Sequence, residues 1–336
     1  MVSEISFSPP IEHPEAKHNL IYFLSGNPGC VSYYKTFLGT LHQLLSQSHS
    51  EEEASNIFYI YGRNLAGFEV DDDEATAGRT SPCGLEEQIE LSMQCLRDQR
   101  IPSGPRKGEA YDSVIFLAHS LGCYMSLEIL HRLRKSSSPV ISVSGGILMF
   151  PTVMHLAHSP SGVKVSRSLA RIPEFPSLMA GIANGLLLPV PDWVLNRLIR
   201  FVTHMPDDAI EVTRKFLRSK MGVWEALHLL RDELKMITED KWDDDIWGIE
   251  HVDKNEKATV PKLFFYFGHN DHWVANNTRD AIIAARGQSD EDDKSSRPVM
   301  MIDEDGIEHS FCIWHSETMA EKVKVWIDDI IESKNS

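Results

Sequence analysis

With 336 residues, of which 42% are hydrophobic, the chain has enough apolar content to pack a core, which excludes global disorder. Its formal net charge of −16 excludes nucleic acid as a partner, because no excess of Lys and Arg is left to neutralise phosphates. Five cysteines (Cys30, Cys83, Cys95, Cys123 and Cys312) without CxxC spacing, and no hydrophobic stretch behind Met1, lead us to expect a reducing compartment and no secretion.

In chain order, Leu20–Ser25 is a short apolar run ending at Gly26, the signature of a buried parallel strand. Tyr33–Leu45 follows with apolar residues at helical spacing, then a strand at Ile57–Tyr61 and a helix at Leu85–Leu96, where Leu85, Ile89, Met93 and Leu96 form one stripe. A strand at Ser113–Ala118 leads into a helix at Leu121–Leu133, and a fourth strand at Ile147–Phe150 stops at Pro151. From about 155 to 258 the strand signal disappears and helical segments, prolines and acidic loops replace it. The alternation resumes with a strand at Leu263–Phe267, a helix near Asn276–Arg286, a strand at Val299–Ile302 and a closing helix that buries Met319, Val323, Trp326, Ile327 and Ile330. Alternating strands and helices predict an α/β architecture, a mostly parallel sheet flanked by helices. We therefore expect a core made of residues 1–154 and 259–336 with a helical cap inserted at 155–258. The acidic runs Glu51–Glu53, Asp71–Glu74, Asp243–Asp245 and Asp290–Asp293 read as solvated loops.

The chemistry begins at Ala118-His119-Ser120-Leu121-Gly122, where a strand turns at once into a helix. That is the setting of a nucleophile elbow, whose sharp turn requires tiny side chains two before and two after the serine. Gly122 meets the requirement, and Ala118 stands where a glycine is usual. On its own the pentapeptide is weak, since an N-capping serine after an ordinary strand looks the same. A serine hydroxyl needs an imidazole to take its proton and a carboxylate to orient that imidazole. Both follow in the chain order that the α/β-hydrolase fold uses: Asp271 in Gly268-His269-Asn270-Asp271-His272-Trp273, and His309 after Asp303-Glu304-Asp305-Gly306-Ile307-Glu308. His272 adjoins the acid and His315 falls in the closing helix, so His309 is the expected base. Asp303 and Asp305 are next in line for the acid. The mixture of His269, Asp271, His272 and His309 could in principle bind zinc, but no HExxH or similar spacing supports it, and we expect neither metal nor cofactor. The oxyanion of an acyl-transfer intermediate needs N–H donors. The expected pair is the backbone of Leu121 and that of Asn27 in Ser25-Gly26-Asn27-Pro28-Gly29, with Asn27 preferred to Gly29. Cys123, close to the elbow, reads as a small apolar side chain on the following helix.

Together these motifs resemble the lipid droplet-associated hydrolase family. The matching pieces are Gly26-Asn27-Pro28-Gly29 with Tyr33, Tyr34 and Phe37, the elbow, Phe150-Pro151-Thr152 with Ser159-Pro160-Ser161-Gly162, Asp271-His272-Trp273 and His309-Ser310-Phe311. The resemblance covers about residues 18–330 and is weakest in the cap. It implies an α/β-hydrolase fold, association with lipid droplets and the endoplasmic reticulum on the cytoplasmic face, and hydrolysis of lipophilic esters such as sterol esters or triacylglycerol.

Residues 177–202 carry at least fifteen apolar side chains, broken by Pro189 and Pro191, with Arg197 and Arg200 interspersed. The first apolar part, Leu178–Leu188, is shorter than the roughly 20 residues that span a bilayer. A proline-broken pair of amphipathic helices can instead lie in one leaflet or on a droplet monolayer. A cap packed on its own core explains the same residues, and the resemblance favours lipid contact.

Overall fold

The computed structural model describes residues 2–10, 15–47, 55–69, 80–136, 141–171, 174–187, 189–244, 246–247, 260–288 and 297–335. The acidic runs Glu51–Glu53, Asp71–Glu74 and Asp290–Asp293, together with Asp245, Leu188 and the expected boundary at 258, lie outside them.

Seven strands form one sheet in the order β1-β3-β2-β4-β5-β6-β7. They are β1 (Glu4–Phe7), β2 (Lys17–Leu24), β3 (Asn56–Arg63), β4 (Ser113–His119), β5 (Val143–Met149), β6 (Lys262–Phe267) and β7 (Val299–Ile302). Every neighbouring pair is parallel except β1 with β3, where Glu4 faces Arg63 and Phe7 faces Ile60. The central strands β4 and β5 are buried along their whole length. Such burial explains why they read as unbroken apolar runs rather than as alternating ones.

Helices cover both faces. One side carries α1 (Lys35–Gln47) and the closing helix α11 (Ser316–Asn335). These two pack Phe37, Leu38 and Leu41 with Met319, Val323 and Ile327 against Ile21, Ile115 and Ile147. The other side carries α2 (Leu85–Asp98), α3 (Leu121–Lys135) and α9 (Asn276–Arg286), whose Leu85, Ile89, Leu127 and Ile282 meet Leu20, Phe116 and Phe265. Between β5 and β6 the described residues form a 3-10 turn at Leu156–His158 and five helices: α4 (Pro160–Arg171), α5 (Phe175–Leu187), α6 (Asp192–Thr203), α7 (Asp207–Arg218) and α8 (Gly222–Met236).

Two features depart from the sequence reading. Strand β1 was not anticipated, because a four-residue edge strand of mixed polarity is too short to show a period. His315 lies at the break between the short helix α10 (Phe311–Trp314) and α11 rather than inside the closing helix. Asp243 and Asp244 are exposed, as expected of a solvated loop, and Asp244 and the neighbouring Asp240 pair with Arg286 of α9 at 2.5 and 2.7 Å.

Candidate active site

The loops carrying the candidate residues all leave the carboxyl ends of parallel strands, where open α/β sheets present their clefts. Ser120 follows β4 and caps α3 with φ 53° and ψ −119°. A positive φ at a side-chain-bearing residue is costly and persists only where the surroundings impose it. They do so by close packing. A Cβ on Gly122 would lie 2.2 Å from the Leu24 carbonyl oxygen, and one on Gly26 would lie 2.9 Å from Ser120 Cβ. The elbow is thus wedged against the end of β2. Ser120 N–H also donates to the Met149 carbonyl at 3.0 Å, tying the turn to β5.

His309 bridges the other two candidates. Its Nδ1 lies 2.6 Å from Asp271 Oδ2 and its Nε2 2.9 Å from Ser120 Oγ. A carboxylate only accepts, so Nδ1 carries the hydrogen and Nε2 presents its lone pair to the serine hydroxyl. Asp271 is buried, and its second oxygen accepts the Trp273 N–H at 2.8 Å. Arg279 of α9, itself buried, donates to the carbonyls of Gly268 at 3.3 Å and His269 at 2.7 Å, holding the loop that carries Asp271. Asp303 is not available to His309. It accepts the Tyr266 hydroxyl at 2.5 Å and the N–H groups of Ile307 and Asp305 at 2.8 and 3.2 Å, which shapes the loop leading to His309.

His119, inside the elbow, had no role in the sequence reading. Its Nε2 lies 2.9 Å from the His309 carbonyl, and its Nδ1 lies 2.7 Å from the Tyr34 hydroxyl, which in turn accepts the Gly26 N–H at 3.3 Å. Burial drives the His119 imidazole well below its ordinary pKa, so the ring is neutral. The carbonyl accepts from Nε2–H, which leaves Nδ1 bare and makes Tyr34 its donor. One hydrogen-bonded chain therefore links the Gly26-Asn27 loop to the backbone of His309. Phe150 and Phe311 pack around it, stacked with ring centroids 5.9 Å apart and with their planes nearly perpendicular to the His119 ring.

The sequence motifs away from the triad have local tasks. Ser159 Oγ accepts the Gly162 N–H at 2.9 Å at the start of α4, and Ser161 N–H donates to the His272 carbonyl at 2.9 Å. Together they clip α4 to the loop that bears Asp271. Cys123 is buried, its thiol directed at the Met149 carbonyl, and burial raises its pKa well above the ordinary value.

Ser120, His309, His119 and Asn27 open onto a cavity of about 560 Å³, whose far wall is apolar: Phe216 and Leu217 of α7, Val223, Leu227 and Leu230 of α8. That volume suits a molecule of lipid or drug size. Leu121 is the first residue of α3, so its N–H has no acceptor within the helix. The arrangement can move a proton from a serine hydroxyl to an imidazole and place the resulting alkoxide at a largely apolar pocket.

The expected lipid-contacting segment forms α5 and α6. One face of α6 is inward, with Leu195 and Ile199 packed on Ile210 of α7. The opposite face is exposed, with Trp193 at 65% and Phe201 at 79%, and Val202, on the Leu195 side, is 66% exposed where the helix ends; α5 adds Leu186 at 66%. Among the described residues no helix is long and apolar enough to cross a membrane.

A profile of the lipid-droplet associated hydrolases matches residues 17–312. The lipid droplet-associated hydrolase of Gallus gallus is 25% identical over 320 residues, covering 92% of this chain and 85% of that protein. Among solved structures, the juvenile hormone epoxide hydrolase of the silkworm Bombyx mori superposes with a TM-score of 0.57 at 12% identity, covering 98% of this chain and 74% of that one. An alpha/beta hydrolase fold protein from Burkholderia ambifaria does so with a TM-score of 0.51 at 13% identity, covering 95% and 92%. The fold is that of the α/β hydrolases.

Proposed function

Because the chain belongs to the lipid-droplet associated hydrolase family, we propose that it is a serine ester hydrolase acting on lipophilic esters at a droplet surface. The observation that carries this reading is the hydrogen-bonded line Asp271–His309–Ser120, raised on a strained elbow and facing an apolar cavity. Ser120 Oγ attacks the ester carbonyl while His309 Nε2 takes its proton. Asp271 keeps His309 in the tautomer that can do so and stabilises the imidazolium. The backbone N–H groups of Leu121 and Asn27 receive the oxyanion. The tetrahedral intermediate collapses as His309 returns the proton to the leaving alcohol, and the acyl group stays on Ser120. Water, deprotonated by His309, then releases the acid and restores the serine. No cofactor takes part.

The exposed apolar face of α5 and α6 is the proposed contact with the droplet monolayer. Seven large side chains there (Leu178, Ile182, Leu186, Trp193, Leu198, Phe201 and Val202) lie between 44% and 79% exposed. Burying half of them at roughly 1.5 kcal/mol each gives on the order of 5 kcal/mol before ordering costs, enough for reversible monotopic binding. The test uses long-chain esters carried in phospholipid-coated droplets. Wild type should bind and hydrolyse them, and Ser120→Ala should bind without hydrolysis. A variant with Leu186, Trp193, Phe201 and Val202 changed to Ser should stay folded, lose droplet binding and keep turnover of a soluble short-chain ester. If that variant remains on the droplets, another surface is the anchor.

A further inference from the structure

One charged-type side chain stands in the apolar wall of the cavity, and the catalytic line does not use it. Glu233 of α8 is only 4% exposed, yet it borders the same cavity as Ser120. Its Oε1 accepts the Asn27 Nδ2–H at 2.7 Å. The second Asn27 donor goes to the Ala226 carbonyl at 2.9 Å, so both amide hydrogens are spent on α8 and the amide orientation is fixed. Burial pushes the Glu233 carboxyl up to about 8, against the lowering by the Asn27 hydrogen bond and with Asp232 adding repulsion, which shifts the group toward its neutral, proton-bearing form. With Oε1 engaged as the acceptor, the proton resides on Oε2, which has no partner among the described residues. Beside it, Asn27 Oδ1 is buried without a donor. Of the other hydroxyls that line the cavity, Tyr33 is paired with Thr213 at 2.8 Å and Tyr34 with His119 at 2.7 Å, while Thr152 Oγ1 is buried without a partner among the described residues. A purely hydrocarbon ligand would leave the Glu233 O–H unsatisfied, and buried donors are costly to leave so.

We propose that Glu233 is a substrate-binding group, and that the ester this cavity selects is an acylglycerol-type ester of a polyol, whose oxygen beyond the scissile bond accepts the Glu233 proton. The inference rests on the serine-hydrolase reading and narrows it. An ester of a sterol-like alcohol offers only hydrocarbon beyond the scissile oxygen, whereas a glycerol ester always offers further oxygens. Sites built to pair with a substrate oxygen discriminate strongly against analogues that lack it. Glu233 also braces Asn27, so its removal could perturb the oxyanion loop for every ester alike. A ratio between two matched substrates separates the two effects.

The experiment compares 2,3-dihydroxypropyl decanoate with propyl decanoate, which differ only in the two hydroxyls, on the full chain in detergent micelles. Wild type should favour the glyceryl ester in kcat/KM by about tenfold, the value of one net hydrogen bond. Glu233→Leu should bring the ratio to near one. Glu233→Gln should retain most of the preference, since its amide can accept from Asn27 and still donate into the cavity. A wild-type ratio near one overturns the inference, as does a Glu233→Leu variant that slows both esters equally. Should Glu233→Leu fail to fold, the wild-type ratio and the Gln variant still decide. If neither ester is turned over and no fluorophosphonate adduct forms on Ser120, the serine-hydrolase reading falls and this inference with it.

Discussion

Tyr34→Phe isolates the hydrogen-bonded chain behind the base. The substitution keeps the ring, which packs on Phe23 and Phe311, and removes one oxygen. His119 Nδ1 then loses its donor at 2.7 Å and the Gly26 N–H loses its acceptor at 3.3 Å. Gly26 and His119 are both buried, and no other protein group among the described residues stands within hydrogen-bond reach to replace the hydroxyl. His119 cannot relieve the loss by moving its hydrogen to Nδ1, because Nε2–H is needed by the His309 carbonyl. Each stranded buried group costs roughly 1–3 kcal/mol, and the longer Gly26 contact belongs at the low end, so the predicted loss is about 2–4 kcal/mol. Urea unfolding followed by circular dichroism measures it. The same change made in a His119→Leu background should cost at least about 1 kcal/mol less, since the bare acceptor is already gone. A loss under about 0.5 kcal/mol, or the same loss in both backgrounds, would refute the chain as described.

Asp271→Asn should lower turnover about 10³- to 10⁴-fold at unchanged stability, because an amide hydrogen facing Nδ1 forces the wrong imidazole tautomer; steady-state kinetics with an aryl ester read this out, and a loss below tenfold points to another acid. Gly122→Ala should destroy the elbow, since its methyl would sit 2.2 Å from a backbone oxygen, whereas Gly185→Ala, in open space on α5, should stabilise by roughly 0.5–1 kcal/mol; thermal melts distinguish them. Glu233 has an unfolded pKa near ~4.3 and a folded value raised to about 8. Its contribution to stability is therefore complete below the unfolded value and is lost as pH rises through the folded one. Relative to Glu233→Gln, the wild type should lose stability across pH 4.5 to 8 and level off above, on the order of a few kcal/mol; a pH-independent difference contradicts a buried neutral acid.

What the sequence reveals and what it hides follow one physical rule. Buried parallel strands and amphipathic helices announce themselves by local period, so β2 to β7 and the covering helices were readable to within a few residues. Ser120, Asp271 and His309 were readable because each follows a strand in a fixed order, and the structure brings the three into hydrogen-bond contact. The groups that hold them were not. Tyr34 and His119 are 85 residues apart, and Asn27 and Glu233 are 206 apart. Nothing in either member's neighbourhood marks the pairing. His119 could have been suspected only from a histidine placed inside an otherwise apolar turn. Glu233 lies on a helix full of ordinary charged residues, and only folding shows that this one faces inward. Strand β1 was hidden for the opposite reason, being too short for any period to develop.

The central claim is that Ser120 becomes covalently acylated through His309. Its most direct test is intact-mass and peptide-mass analysis of the full chain after brief exposure to a fluorophosphonate and, separately, to an activated ester quenched in acid. A single adduct on the peptide containing Ser120 is predicted for both reagents, absent in Ser120→Ala and slowed at least about a hundredfold in His309→Ala, with both variants natively folded. An adduct on another residue, or undiminished labelling of the folded Ser120→Ala protein, would contradict it.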